Sequence, residues 1–272
     1  MGATNVADLK DQGRTQPSSR RRALVLWPWI VVIAAWTVAL VAFLTKQNDL
    51  IDHHYLIEES HLPWLAAFAL FLAGWQIMTT AMMLPSSMPM VYMMVYASRK
   101  QQRPWRPMAA FLAAYALVWT AFACAAFTGD TQLHRLVHAW PWLSLHSWLI
   151  GTVTLAIAGA FQFSPLKHRC LKQCRSPFGF FVRYYRPGVR AAWNLGLRHG
   201  GFCLGCCWAL MLVMFGLGVG SLMSMALLAG AMVIEKTYPG GQRLSPFLGG
   251  ALLGFAVLWY MHPAWLISGI GF

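Results

Sequence analysis

The sequence predicts an all-α fold, a polytopic transmembrane helix bundle of about seven spans with a proline-broken second helix. Three observations lead there. Only 11% of the 272 residues are charged, against about 25% in soluble domains, and the mean hydropathy is +0.52. Apolar runs recur at 27–44, 63–84, 107–127, 148–163, 199–219, 222–236 and 246–265, most of them long enough to cross a bilayer as helices. Lysine and arginine collect in alternate connecting segments. With the N-terminus inside, segments 1–26, 98–106, 164–198 and 235–245 hold 19 of the 21 cations, leaving Lys46 and Arg135 outside. That asymmetry predicts a cytoplasmic N-terminus and a periplasmic C-terminus. The net charge of +13 therefore lies in short loops facing anionic lipid, so the bilayer is the expected partner and nucleic acid is not.

Residues 1–22 are polar and basic, and are expected to form a disordered cytoplasmic tail ahead of a transmembrane domain at 23–272. Arg20, Arg21 and Arg22 set the start of the first span. No small-residue cleavage site follows it, so it reads as a retained helix.

The second apolar stretch, from Pro63 to Ala97, is too long for one span. As a single helix it would run about 52 Å, against a hydrocarbon core of about 30 Å. Pro85 and Pro89 interrupt it. It is expected to be one span followed by a kinked, interfacial or re-entrant piece, with Ser86, Ser87, water or an ion serving the carbonyls that proline frees. Seven methionines fall within 17 residues here, among them Met78, Met82 and Met83. Thioether sulfur ligates without deprotonation, which suits an apolar medium where a charged ligand is costly.

The third run carries Cys124, read as a buried apolar residue. After the short fourth run come Cys170 and Cys174, an i, i+4 pair among basic residues. The fifth run opens with Cys203, Cys206 and Cys207. On a helix Cys203, Cys207, Met211 and Met214 share one face, giving a line of soft donors that suits Cu(I). That line is expected to face Met78, which makes the second and fifth runs neighbours. Three readings of the cysteines stay open. Two or three thiolates suit Cu(I). Cys170, Cys174, Cys203 and either Cys206 or Cys207 suit a structural zinc site. Cys203-x-x-Cys206 has the spacing of a thiol–disulfide relay.

Glu235, at the end of the sixth run, is the acid nearest an apolar segment and a candidate to accept a proton released when thiols bind metal. In the outer segments His53, His54 and His61 lie near Asp52, Glu58 and Glu59, and His134 and His138 form an i, i+4 pair. These histidines are candidate outer sites for Cu²⁺ or Zn²⁺.

Three stretches resemble one known family: Ala81–Pro89, Gln162–Pro177 with its Cys170 and Cys174, and Gly196–Met211 with Cys203, Cys206 and Cys207, followed by Glu235-Lys236. The family is the bacterial "predicted metal-binding integral membrane protein" family, a domain of unknown function, and the resemblance covers about residues 65–245. It implies a multi-pass protein of the bacterial inner membrane that binds metal. The function read from residues and resemblance together is Cu(I) binding for transport, delivery or metalloenzyme assembly, with a membrane or periplasmic metalloprotein as partner. A membrane thiol–disulfide oxidoreductase, and an anchor or assembly subunit with a structural zinc–cysteine site, are the alternatives. No P-loop is present to power transport.

Overall fold

The computed structural model describes residues 18–45, 63–98, 101, 103–216 and 222–262. Among them the secondary structure is helical throughout, with no strand. The helices are α1 (Ser18–Leu44), α2 (Trp64–Ser98), α3 (Trp105–Ala139), α4 (Pro141–Leu145), α5 (Trp148–Phe161), α6 (Pro165–Arg175), α7 (Pro177–Tyr184), α8 (Val189–Gly216), α9 (Leu222–Thr237) and α10 (Leu244–Met261), with a 3₁₀ turn at Gly241–Arg243.

The described helices number fewer spans than the seven expected. Five are long and apolar enough to cross a membrane: Leu26–Leu44, Trp64–Ser98, Trp105–Ala139, Val189–Met214 and Gly241–Met261. The pair Trp148–Phe161 and Pro165–Arg175, bent by 63°, makes a sixth if it is taken as one broken span. The run at 222–236 becomes α9, whose 16 residues extend about 24 Å, short of a hydrocarbon core. Lys167 and Lys236, counted as loop cations on sequence grounds, are both buried.

The second run also differs from its expected form. Helix α2 continues through Pro85 and Pro89 without interruption. Proline at 85 cannot donate to the carbonyl of Ala81, which would otherwise be an orphan. The indole Nε1 of Trp36, on α1, donates to that carbonyl at 3.1 Å. Ser86 Oγ donates to the Met83 carbonyl at 2.8 Å. At the first proline a side chain from another helix thus takes over the vacated acceptor.

Helix α8 packs most extensively against α3, α10 against α5, and α2 against α1, α3 and α9. The α3–α8 approach depends on Gly196: a Cβ there would lie 2.3 Å from the Phe111 carbonyl oxygen, so the two backbones meet where no side chain intervenes. The bend between α5 and α6 follows from Pro165 at the first position of α6, with Ser164 Oγ accepting from the Leu166 amide at 3.1 Å as its cap. Lys167, Cys170, Leu171 and Cys174 form the buried face of α6, spaced i, i+3, i+4, i+7. The segment expected to be a basic loop is thus an amphipathic helix laid against the bundle.

A buried ion pair fastens α6 to α9. Lys167 Nζ lies 2.9 Å from both carboxylate oxygens of Glu235, and the two residues are 0% and 3% exposed. The ammonium also donates to the Gln162 side-chain oxygen, and Ser245 Oγ donates to Glu235 Oε1 at 2.8 Å. Arg175 caps the C-terminal end of α9, donating to the carbonyls of Glu235 and Tyr238. With its remaining lone pairs satisfied, the pair is stable as a unit but costly to break from one side. Glu235→Gln, which leaves the buried ammonium without its counter-charge, should destabilise the protein by about 3–5 kcal/mol. The double substitution Lys167→Met with Glu235→Met should recover most of that loss, as read from unfolding of the detergent-solubilised protein.

Candidate metal centre

Helix α8 carries Cys203, Cys206 and Cys207 on consecutive turns, all buried to within 2% exposure. Cys206 Sγ lies 3.3 Å from Cys207 Sγ and donates to the Cys203 carbonyl at 3.1 Å. The buried face of α6 brings Cys174 Sγ to 3.9 Å from Cys206 Sγ. One turn earlier, Cys170 packs on Gly205, where an added Cβ would stand 2.7 Å from its sulfur. Glycine at 205 therefore sets how closely α6 can lie on α8. All six cysteines are free thiols.

Three other helices close the site. From α3, the Tyr115 hydroxyl lies 3.1 Å from Cys203 Sγ. From α2, Ser87 Oγ donates to the Tyr115 oxygen at 3.3 Å, and His199 Nε2 on α8 lies 3.2 Å from the same Ser87 Oγ. From α9, Lys236 Nζ lies 3.2 Å from Cys203 Sγ, 3.2 Å from Ser86 Oγ and 3.8 Å from Met83 Sδ.

Met78, Met82, Met83, Met211 and Met214 are all buried in one continuous cluster with Cys170, Cys174, Cys203, Cys206 and Cys207. Helices α2 and α8 do not pack as neighbours along their lengths, contrary to expectation: α3 packs along α8, and α2 reaches α8 through side chains such as Ser87, whose Oγ lies 3.2 Å from His199 Nε2. Met225 and Met232 of α9 join the same cluster. They sit seven residues apart on one helical face, a spacing that was legible in the sequence but masked by the methionine-dense second run.

The donor set is soft, and its spacing is partly that of a metal site. At metal–sulfur bonds of about 2.3 Å, two sulfurs on a trigonal or tetrahedral ion lie about 3.8–4.0 Å apart. Cys174 and Cys206 already meet that distance, whereas Cys206 and Cys207 are too close and must open by about half an ångström. Among the described residues no group of three or more His, Cys, Asp or Glu stands ready to hold a metal ion. Cys174 and Cys206 are thus two sulfurs at metal-site spacing, with a third thiol and several thioethers, all soft donors, in the same cluster.

Glu235 is not part of this constellation. Its carboxylate is held by Lys167 and Ser245, and the next residue, Lys236, faces the sulfurs instead, about 100° further round the helix. His53, His54 and His61 lie outside the described residues. His134 Nε2 lies 3.6 Å from Asp130 Oδ2, and His138 is exposed one turn on. Both belong to the far end of α3, about 28 Å and about 35 Å along the helix from Tyr115, and do not join the sulfur cluster.

Sequence reasoning missed Lys236, Lys167, Tyr115 and His199. The lysines were counted with loop charges, and the other two sit in apolar helices where no spacing marks them.

The model of the PpoB2 family, described as a copper chaperone, matches residues 72–259. No curated protein and no solved structure matches the chain. The matched segment spans more than two thirds of the sequence and contains every sulfur of the cluster. The chain belongs to the PpoB2 family of copper chaperones.

Proposed function

We propose that this protein is an integral membrane copper chaperone that holds Cu(I) as cargo on buried sulfur and hands it to a metalloprotein. The observation that supports this best is the 3.9 Å separation of Cys174 and Cys206, on two different helices and inside a cluster of thiols and thioethers closed to water. Thiolates bind Cu(I) strongly and thioethers bind it without charge. A cargo ion must be held firmly yet released, and a two-thiolate seat flanked by weaker donors meets both needs.

In this reading Cu(I) bonds first to Cys174 and Cys206. Cys207 supplies a third sulfur as the local packing opens, and Met83, Met211 and Met214 offer neutral positions further along the bundle. The bilayer orientation keeps the assignment made from the cation asymmetry, with the cysteine end toward the cytoplasm and the bacterial inner membrane as the location. The partner is a membrane or periplasmic metalloprotein that accepts copper.

Cu(I) titration of the purified protein against a chromogenic Cu(I) chelator tests the reading. Cys174→Ser and Cys206→Ser should each weaken binding by roughly a hundredfold or more, since each replaces a soft ligand with a hard hydroxyl. Cys124→Ser should leave binding unchanged. Equal copper retention in all four proteins would overturn the assignment. Gly205→Ala should weaken Cu(I) binding about tenfold with every ligand intact, because a methyl group against Cys170 pushes α6 off α8 and separates Cys174 from Cys206. Double substitution of Met211 and Met214 by leucine should leave the binding stoichiometry unchanged while slowing copper transfer to an acceptor several-fold, as followed by stopped-flow mixing with the chelator.

A further inference from the structure

Among the described residues, no carboxylate lies against the buried ammonium of Lys236. The residue is 6% exposed. Its neighbour Glu235 is already neutralised by Lys167. A buried charge needs a counter-charge and hydrogen bonds to be tolerated. What surrounds the ammonium instead is Cys203 Sγ, Ser86 Oγ and Met83 Sδ.

Cys203 is the ionisable group that the ammonium meets, at 3.2 Å. The Tyr115 hydroxyl, which accepts from Ser87 Oγ, lies 3.1 Å from Cys203 Sγ in a contact where either atom can donate. The ammonium donates to the same sulfur from α9. A sulfur that faces an ammonium and a hydroxyl can accept charge-assisted hydrogen bonds once ionised. The ring of thiolate, thioether and hydroxyl that holds Nζ is also a set of ligands for a soft monovalent cation.

We propose that Lys236 is a tethered placeholder cation, and that Cu(I) enters the Cys203–Met83 position by displacing its ammonium. This rests on the copper-chaperone reading above and adds to it a second copper station and the device that empties it. In the exchange the Nζ–H···S contacts break and copper–sulfur bonds to Cys203 and Met83 form. No electron moves. One cation of unit charge replaces another on the same thiolate, so the buried site has the same net charge loaded and empty once the ammonium has left. Lys236 lies at the C-terminal end of α9, one residue before Thr237 closes the helix. A long lysine stem at a helix end can swing its head to water while its methylenes stay on apolar surface. On release the ammonium returns to the thiolate as copper departs, which avoids leaving a bare buried anion.

The test uses the full-length, reduced protein in detergent. An amine-reactive reagent followed by peptide mass spectrometry reports whether Lys236 is accessible, with the exposed Lys172 as internal control. Lys236 should be protected in the metal-free protein and become reactive as Cu(I) is added to saturation. Saturating Cu(I) uptake with Lys236 still protected would overturn the exchange while leaving the chaperone assignment standing. Absence of Cu(I) uptake would overturn both. Lys236→Gln should release Cu(I) to the chelator roughly tenfold more slowly, as expected when a tethered competitor of high effective concentration is removed. An unchanged release rate would overturn the exchange. Should Lys236→Gln fail to fold, the labelling of the wild-type protein decides alone.

Discussion

The ion pair between Lys167 and Glu235 is the interaction on which the rest of the site depends. It joins the buried face of α6 to the end of α9 in an interior that offers no water to either charge. Two placements follow from it. It holds α6 against the bundle, so that Cys174, two turns beyond Lys167, reaches Cys206 on α8. It also sets the rotation of α9: with Glu235 turned to Lys167, the adjacent Lys236 must point at Cys203, Ser86 and Met83. A polar pair of this kind contributes little net stability but much specificity, because alternative helix rotations strand a charge.

The sulfur cluster shows a complementary economy of charge. Thioethers dominate the depth of the bundle, where ionised ligands would be expensive, and thiols gather where Lys236 can offset them. The site is therefore graded, from a charge-compensated end at Cys203 to a neutral end at Met211 and Met214.

Much of the site was legible in the sequence. Cys203, Cys207, Met211 and Met214 fall on one face by helical spacing alone, and they share one buried cluster with Cys174 and the methionines of α2, though the thiol that meets Cys174 is Cys206, off that face. The helical class followed from composition. What could not be read was the consequence of tertiary contact. Pro85 looked like a break because local sequence says nothing of Trp36, 45 residues earlier along the chain, which serves the freed carbonyl. Lys167 and Lys236 looked like loop charges because a basic residue beside an apolar run obeys the same rule whether it faces lipid headgroups or turns inward to a partner. The acid at 235 was singled out correctly as unusual, but its role was reversed. It anchors the helix, and its neighbour meets the sulfur.

The bond from Trp36 to the Ala81 carbonyl has a consequence for how the family's core should be delimited. Helix α1 lies wholly before residue 72, where the matched family segment begins. It nevertheless supplies the hydrogen bond that lets the methionine-bearing helix run straight through its first proline. An N-terminal helix that reads as a mere anchor is in this chain a splint, set against one of the two places where the methionine-bearing helix lacks a backbone bond of its own. A segment cut to the family boundaries would contain every sulfur of the cluster but not the indole that serves the Ala81 carbonyl.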